Sequence, residues 1–168
     1  MADGDLQLIE KCLREVIKAL TQFRIDERQV LAEELMMRIH SIMKYLEAVV
    51  PLEEARISKI RDRIKKNFDE FISNEKIDLN RFEQEILYYV EKIDISEEKT
   101  RLKQHCLYFL EQMKTSENPG RILGFISQEM GREINTLGAK AQDQEIQQII
   151  VMMKDELEKI KEQLANIL

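Results

Sequence analysis

Tryptophan is absent from this chain of 168 residues, and glycine and proline are scarce, with only five and two residues. These two residues mark most turns, so their scarcity leaves little room for the many turns of a sheet protein. The chain is rich instead in Glu, Lys, Leu, Ile and Gln, which are compatible with long helices. The composition therefore predicts an all-α fold.

Long apolar runs and an excess of basic residues are also missing. No run approaches the roughly 20 residues of a membrane helix, so no membrane partner is expected. Cys12 and Cys106 occur without a signal peptide, which indicates a cytoplasmic protein with free thiols. A net charge of −6 argues against a broad nucleic-acid surface, because Lys and Arg supply phosphate contacts. Any RNA site must be local.

Familiar catalytic and cofactor motifs are absent as well. The sequence has no Gly-rich phosphate loop, no zinc-type Cys/His spacing and no Ser nucleophile elbow. No small-molecule cofactor is therefore expected. His40 has no acidic cluster around it in the sequence, and we interpret it as structural or exposed.

Apolar periodicity predicts about six helices in an elongated arrangement. Residues 6–50 contain no Gly or Pro and form a long first helix, which Pro51 is expected to end. A second helix over residues 52–71 would return alongside it as a hairpin. Asp78 and Asn118 are predicted N-caps of later helices, and Gly138 offers a break or C-cap. The expected division is a hairpin region, residues 1–83, and a helical domain, residues 84–168.

The last helix keeps near-heptad apolar spacing to the chain end, typical of a coiled-coil-like contact. That contact could lie within the chain or between subunits. Together with the long first helix it predicts self-association. The stripe consists of Ile146, Ile149, Ile150, Met153, Leu157, Ile160, Leu164 and Ile167.

Residues 128–143 hold the densest mixture of acids, bases and amides in the chain. On a helix, one face would carry Glu129, Arg132, Glu133, Thr136 and Lys140. Two carboxylates one turn apart suit Mg²⁺ or Mn²⁺, and neighbouring basic groups suit a phosphate. The alternative is a solvated face of salt bridges between residues three or four apart, which spacing alone favours.

Several ordered motifs in the second half of the chain resemble the C-terminal signature of the YicC/YloC family. They are Asp94-Ile95-Ser96-Glu97-Glu98, Arg101-Leu102 with His105, Gln128-Glu129-Met130-x-Arg132-Glu133-x-Asn135-Thr136, Lys140, Asp143-x-Glu145-Ile146, and Glu156-x-Glu158-Lys159-Ile160-x-Glu162-Gln163. Gly131, Gln104 and Lys161 depart from the family's usual residues. Family members also carry a further domain before this region, which is expected to be missing here.

The resemblance implies a bacterial, metal-dependent endoribonuclease that assembles as a homo-oligomer. It implies catalytic roles for His105, Glu129 and Glu133, with Glu129, Glu133 and Asp143 holding Mg²⁺ or Mn²⁺. Asp143 fits the alternative role of a helix N-cap at least as well. The predicted phosphate contacts are Arg101, Arg132 and Lys140.

Two functions remain open at this point, RNA cleavage and a catalytically silent role in oligomerisation or RNA holding. A second basic stretch could also follow an RNA backbone, although interleaved acids favour a solvated face there. Its members are Arg56, Lys59, Arg61, Arg63, Lys65 and Lys66.

Overall fold

The computed structural model describes residues 3–72, 79–115 and 119–167, and these ranges are helical except for short connections. They form α1 (Asp3–Ile72), α2 (Leu79–Ile93), α3 (Ser96–Thr115), α4 (Gly120–Ala141) and α5 (Gln144–Ile167). No strand occurs within them, which confirms the all-α class. None of the helices described is both long and apolar enough to cross a membrane. The predicted caps Asp78 and Asn118 fall outside the described residues.

Pro51 does not end the first helix, so the predicted hairpin reversal is wrong and the described residues hold five helices rather than six. α1 runs through Pro51 to Ile72. Proline removes one backbone donor from the helix, a local loss that favourable packing can override. The buried face continues across it, because Val49 is followed by the buried Glu53 and Arg56 at helical spacing.

The chain divides into two compact units, Met1–Met37 and Arg38–Leu168. In the first unit, α1 is the only described element, and every side chain from residue 7 to residue 30 is exposed. The second unit holds the rest of α1 together with α2 to α5. The expected division into residues 1–83 and 84–168 stays a prediction.

The core of the second unit lies where α4 packs against α3 and against α5. The apolar stripe of the last helix, which we call the α5 stripe, is buried in this core from Ile146 to Leu164, so over these residues the contact predicted from its spacing lies within the chain. The side chain of Ile167 lies outside the described residues. Arg38 of α1 also reaches α5, where its Nη1 lies 3.2 Å from Glu156 Oε2. Side chains that are almost fully buried are Ile39, Ile42, Leu102, Phe109, Met130, Ile134, Leu137, Ile146, Ile150, Met153 and Ile160.

Gly138 lies inside α4 and does not break it, because the helix continues to Ala141. A Cβ atom at residue 138 would lie 3.2 Å from Ile150 Cγ2 of α5, so glycine allows these helices to approach closely. Gln147 also donates its side-chain amide to the Gly138 carbonyl. The C-cap is Gln142, whose φ of 47° is left-handed.

Candidate functional site

Ion pairs join α3 to α4 and fix the register of these two consecutive helices. Lys140 Nζ lies 2.7 Å from Glu98 Oε1, and Arg101 Nη1 lies 3.8 Å from Glu133 Oε1. As residue numbers rise along α3 they fall along α4, so the helices are antiparallel. We call Glu98, Arg101, Glu133 and Lys140 the charged ladder. Glu98 and Glu133 are buried, whereas the Arg101 side chain is about half exposed.

The predicted single face of α4 is divided by this packing. Glu133 and Lys140 turn towards α3 and join the charged ladder. Arg132 is exposed and pairs with Glu129 along its own helix, at 2.9 Å between Nη1 and Oε1. Thr136 is exposed and donates its hydroxyl to the Arg132 carbonyl. The salt-bridge alternative therefore describes Glu129 and Arg132, but not the buried Glu133.

His105 follows Arg101 by one helical turn and is half-buried in α3. The ladder register pairs residue 101 with residue 133. Glu98 pairs with Lys140, which corresponds to a register one helical turn away, so residue 105 faces the stretch of α4 between residues 129 and 133. The predicted catalytic residues His105, Glu129 and Glu133 therefore lie on two helices that pack against each other, and no described hydrogen bond or ion pair joins His105 to either carboxylate.

Asp143 is placed differently, at the start of α5. Its Oδ1 accepts the backbone N–H groups of Glu145 and Ile146, at 3.0 and 3.1 Å. These contacts are those of an N-cap, the alternative that the sequence left open. Among the residues described, no three His, Cys, Asp or Glu side chains gather into a group that could hold a metal ion. No described contact joins Asp143 to Glu129 or Glu133.

Asp94 provides a fixed negative charge just before α3. Its Oδ1 accepts the backbone N–H of Ser96 at 2.9 Å. Hydrogen bonds from the Ser96 side chain and backbone lower the pKa of Asp94, and the charges of Lys140 and Lys99 act in the same direction. The carboxylate therefore stays ionised beside the Lys140 end of the charged ladder.

Sequence reasoning missed two buried residues of α1 that support this region. The basic stretch from Arg56 to Lys66 is expected to form a solvated face, but Arg56 is buried. Its guanidinium donates to the Ile93 carbonyl at 2.7 Å and to the carbonyls of Lys140 and Ala141. Arg56 therefore caps the C-terminal ends of both α2 and α4. The other members of that stretch whose side chains are described are exposed, namely Lys59, Arg61, Arg63 and Lys66.

Glu53, the second missed residue, is buried one turn before Arg56 and pairs with Lys99 of α3. A sequence signal for both existed. The buried positions Leu46 and Val49 continue to Glu53 and Arg56 at alternating spacings of three and four residues. The pattern passes through Pro51, where the proline rule predicts a helix end, so the rule conceals its continuation.

The charged ladder contains equal numbers of acids and bases, so its members largely neutralise one another. Arg101 also pairs with Glu97, at 2.5 Å between Nη2 and Oε1. Its exposed guanidinium can still offer several N–H groups to a phosphate, in competition with these two carboxylates. Arg132, which precedes Glu133 on α4, is more exposed than Arg101. The α3–α4 edge can therefore bind an anion next to buried carboxylates.

Comparison with known proteins agrees with the resemblance carried by the motifs on α3 to α5. Residues 49–168 match the family model described as "Endoribonuclease YicC-like, C-terminal". An all-α chain with this match belongs to the YicC-like C-terminal family, as its motifs indicated.

Two relatives carry the same printed name, "Probable endoribonuclease YicC". The protein from Clostridioides difficile (strain 630) is 32% identical over 98% of this chain and 57% of its own length. The protein from Haemophilus influenzae is 30% identical over 88% of this chain and 52% of its own length. This chain therefore spans little more than half the length of these relatives.

Proposed function

We propose that this chain is the helical part of an enzyme that cleaves RNA phosphodiester bonds, and that the α3–α4 edge carries its site. The buried Glu133 beside the half-exposed Arg101 is the observation on which the proposal rests. A carboxylate held against a guanidinium at a helix interface can act on a reacting phosphate while the basic group positions it. The family and the names of both relatives support RNA as the substrate.

Each proposed role follows from the position of the residue on α3 or α4. Arg101 and Arg132, both exposed to solvent, would bind RNA phosphates. Lys140 is held by Glu98 and would contribute a weaker, more distant contact. His105, on α3 one turn beyond Arg101, would transfer a proton to or from the reacting oxygen. A cytoplasmic setting, where RNA is available, agrees with this role.

A divalent metal ion, Mg²⁺ or Mn²⁺, is part of the proposal. Mg²⁺ commonly uses one or two carboxylates and keeps several waters, so Glu129 and Glu133, one turn apart on α4, are a sufficient donor pair. When bound, the ion would polarise the phosphate or lower the pKa of the attacking water. Asp143 is engaged at the start of α5, so we place it outside this pair.

A non-catalytic role in RNA holding or oligomerisation is the second candidate. It is favoured by the pairing of every predicted phosphate contact with a carboxylate, as seen for Arg101, Arg132 and Lys140. It is also favoured by the partial coverage of both relatives. In either role we propose that the chain self-associates, as its sequence predicts.

A cleavage assay with Glu133→Gln tests the catalytic proposal. The full chain is incubated with a labelled single-stranded RNA in Mn²⁺, in Mg²⁺ and in EDTA. We expect cleavage in the metal-containing samples and a loss of at least about 100-fold in Glu133→Gln, the scale of a lost general acid–base or metal contact. Glu145→Gln is the matched control, because Glu145 is exposed at the start of α5. Its activity should be unchanged.

Binding separates the two candidate functions. Arg101→Ala and Arg132→Ala should each weaken RNA binding and reduce the slope of log K against log salt by about one. Arg121→Ala, an exposed substitution elsewhere on α4, should leave both unchanged. Binding with no cleavage under any metal condition would favour the holding role. Equal RNA binding by all three variants would move the site away from the α3–α4 edge.

A further inference from the structure

The first unit carries an exposed apolar stripe along α1, which we call the α1 seam. Its members alternate at spacings of four and three residues, the spacing of a two-stranded coiled coil. All five are between 52% and 63% exposed, although monomeric proteins rarely leave a continuous apolar patch of this length in water. The α1 seam consists of Ile9, Leu13, Val16, Leu20 and Phe23.

We propose that the α1 seam is the interface between two copies of this chain, which pair as an antiparallel two-stranded coiled coil. The inference deepens the self-association proposed above and rests on it, but does not depend on RNA cleavage. The α5 stripe cannot serve this purpose, because its members Met153, Leu157 and Ile160 are already buried within the chain. The α1 seam, in contrast, is exposed at all five of its positions.

Heptad positions define how the two copies fit. Leu13 and Leu20 occupy a positions, and Ile9, Val16 and Phe23 occupy d positions. In an antiparallel pair, a positions pack against d positions of the second copy. Leu13 then meets Phe23 of the second copy, and Val16 meets Leu20. Four apolar layers result, related by a two-fold axis.

Flanking charges select the antiparallel orientation and its register. In this pairing the e position Glu10 lies opposite the e position Arg24 of the second copy, and the two-fold axis repeats the contact. A parallel pair would instead set Cys12 against Ile17 and Ala19 against Arg24, which pairs no opposite charges. An antiparallel register shifted by one heptad would set Glu10 against Ile17.

Glu10 is free to make this contact at little cost. In the single chain it pairs with Arg14 of the same helix, at 2.7 Å between Oε1 and Nη2. Both side chains are more than half exposed, and such surface pairs between residues four apart contribute little to stability. The Glu10 carboxylate can therefore exchange Arg14 for Arg24 of the second copy, or contact both.

Cys12 allows a crosslinking test of orientation in the full chain. Cys12 and Asp26 are both g positions, and the proposed register sets them opposite each other. A short bismaleimide should therefore link Cys12 to the introduced cysteine of a second copy in Asp26→Cys. The native Cys12 residues of two copies would lie about 21 Å apart along the coiled coil, because fourteen residues separate residues 12 and 26. Wild type should stay unlinked, and the buried Cys106 does not compete.

The matched control is Asp26→Cys combined with Cys12→Ser, which should lose the crosslink. Crosslinking of wild type through Cys12 would indicate a parallel pair and overturn the proposal. A failure of Asp26→Cys to crosslink, while light scattering still shows a dimer or larger assembly, would overturn it too and leave self-association through another surface. A monomeric mass for wild type at micromolar concentration would overturn both the interface and the self-association.

Charge exchange gives a second, independent measurement. Glu10→Arg and Arg24→Glu should each raise the dissociation constant of the pair several-fold, because each sets like charges opposite one another. The double variant should return close to the wild-type value. Leu20→Asp should dissociate the pair while the full chain keeps most of its helical circular dichroism, because residue 20 lies outside the second unit. The proposed register would be contradicted by an unchanged dissociation constant in both single charge variants. It would also be contradicted if the double variant did not regain the wild-type dissociation constant.

Discussion

Two stretches of the molecule carry apolar residues at the same helical spacings but in opposite surroundings. In α5, Leu157 is 2% exposed, whereas Leu13 in α1 is 57% exposed. Periodicity predicted both apolar faces, and it gave no information about what covers either of them. α5 is covered by its own chain. The α1 seam is not, and a second copy is the partner that we propose.

The cysteines should show this contrast most strongly. Burial raises the pKa of the Cys106 thiol to about 12, whereas Cys12 is exposed. Since thiolate is the reactive form, Cys106 in the native chain should react with a thiol reagent at least about three orders of magnitude more slowly than an ordinary exposed thiol. A titration with a chromogenic disulfide should detect one fast thiol in the folded chain and two after unfolding. Two fast thiols in the folded chain would contradict the burial of Cys106.

Truncation of a leucine in each stretch should give the next largest difference. Leu157→Ala should lower the free energy of unfolding by about 2–5 kcal/mol, through lost burial and a residual cavity. Leu13→Ala should change it by less than about 0.5 kcal/mol when the chain is dilute enough to be monomeric. Urea unfolding followed by circular dichroism measures both values. Equal losses would mean that something covers Leu13 in the monomer as well.

Within α1 the same comparison can be made between two arginines. Arg56→Met keeps much of the side-chain volume but removes the donor to the Ile93, Lys140 and Ala141 carbonyls. We expect a loss of about 3 kcal/mol, because buried acceptors are left without partners. Arg61→Met, an exposed substitution in the same helix, should stay within about 0.5 kcal/mol. Thermal unfolding of the two variants tests this difference directly.

Substitution of Asp143 should have a smaller effect on stability than substitution of Arg56. Asp143→Ala removes the acceptor for two N–H groups at the start of α5 and should cost about 1 kcal/mol, the usual cost of a lost N-cap. Asp143→Asn should restore most of it. If Asp143→Asn retains stability but abolishes metal-dependent cleavage, Asp143 would return to the proposed metal ligands. Asp26→Ala in the exposed part of α1 is the control.

Substitution of Asp94 should have the smallest effect on stability, and this effect should depend on pH. The pKa of Asp94 is lower in the folded chain than in the unfolded chain, so its contribution is present above the unfolded pKa and is lost as pH falls through the folded pKa. Wild type should therefore be slightly more stable than Asp94→Asn at neutral pH. The difference should narrow below about pH 4, near the unfolded pKa of an aspartate. Melting temperatures at pH 7 and pH 3 measure it.

Composition and apolar spacing predicted the helical class and most helix positions, because they determine local structure. The ordered motifs in the second half of the chain indicated the family. The sequence did not predict that α1 continues through Pro51. A proline rule describes an isolated helix, and the buried contacts on both sides of Pro51 override it. The prediction that Gly138 breaks or caps a helix also relied on a local rule, the preference of glycine for helix ends. The role of Gly138 is the close approach of α5, a tertiary contact that spacing cannot show.

Predictions for the site were less complete, for a related reason. Spacing placed Glu129, Arg132 and Glu133 on one face of α4 but could not say which of them meets α3. The charged ladder shows that Glu133 does, with Arg101 as its partner. Buried charges such as Arg56 escaped notice, because a charged residue in a basic stretch is ordinarily assigned to the surface.

Arg56 joins the ends of α2 and α4 to α1, and this has a consequence for the order of folding. Its hydrogen bonds join residues 37, 84 and 85 positions apart in the chain, so they close long loops. We expect such contacts to form late in folding, only after α2 and α4 have reached α1. Arg56→Met should therefore accelerate unfolding while leaving the folding rate almost unchanged. In kinetic terms, this arginine keeps the assembled helices from separating and has little part in bringing them together.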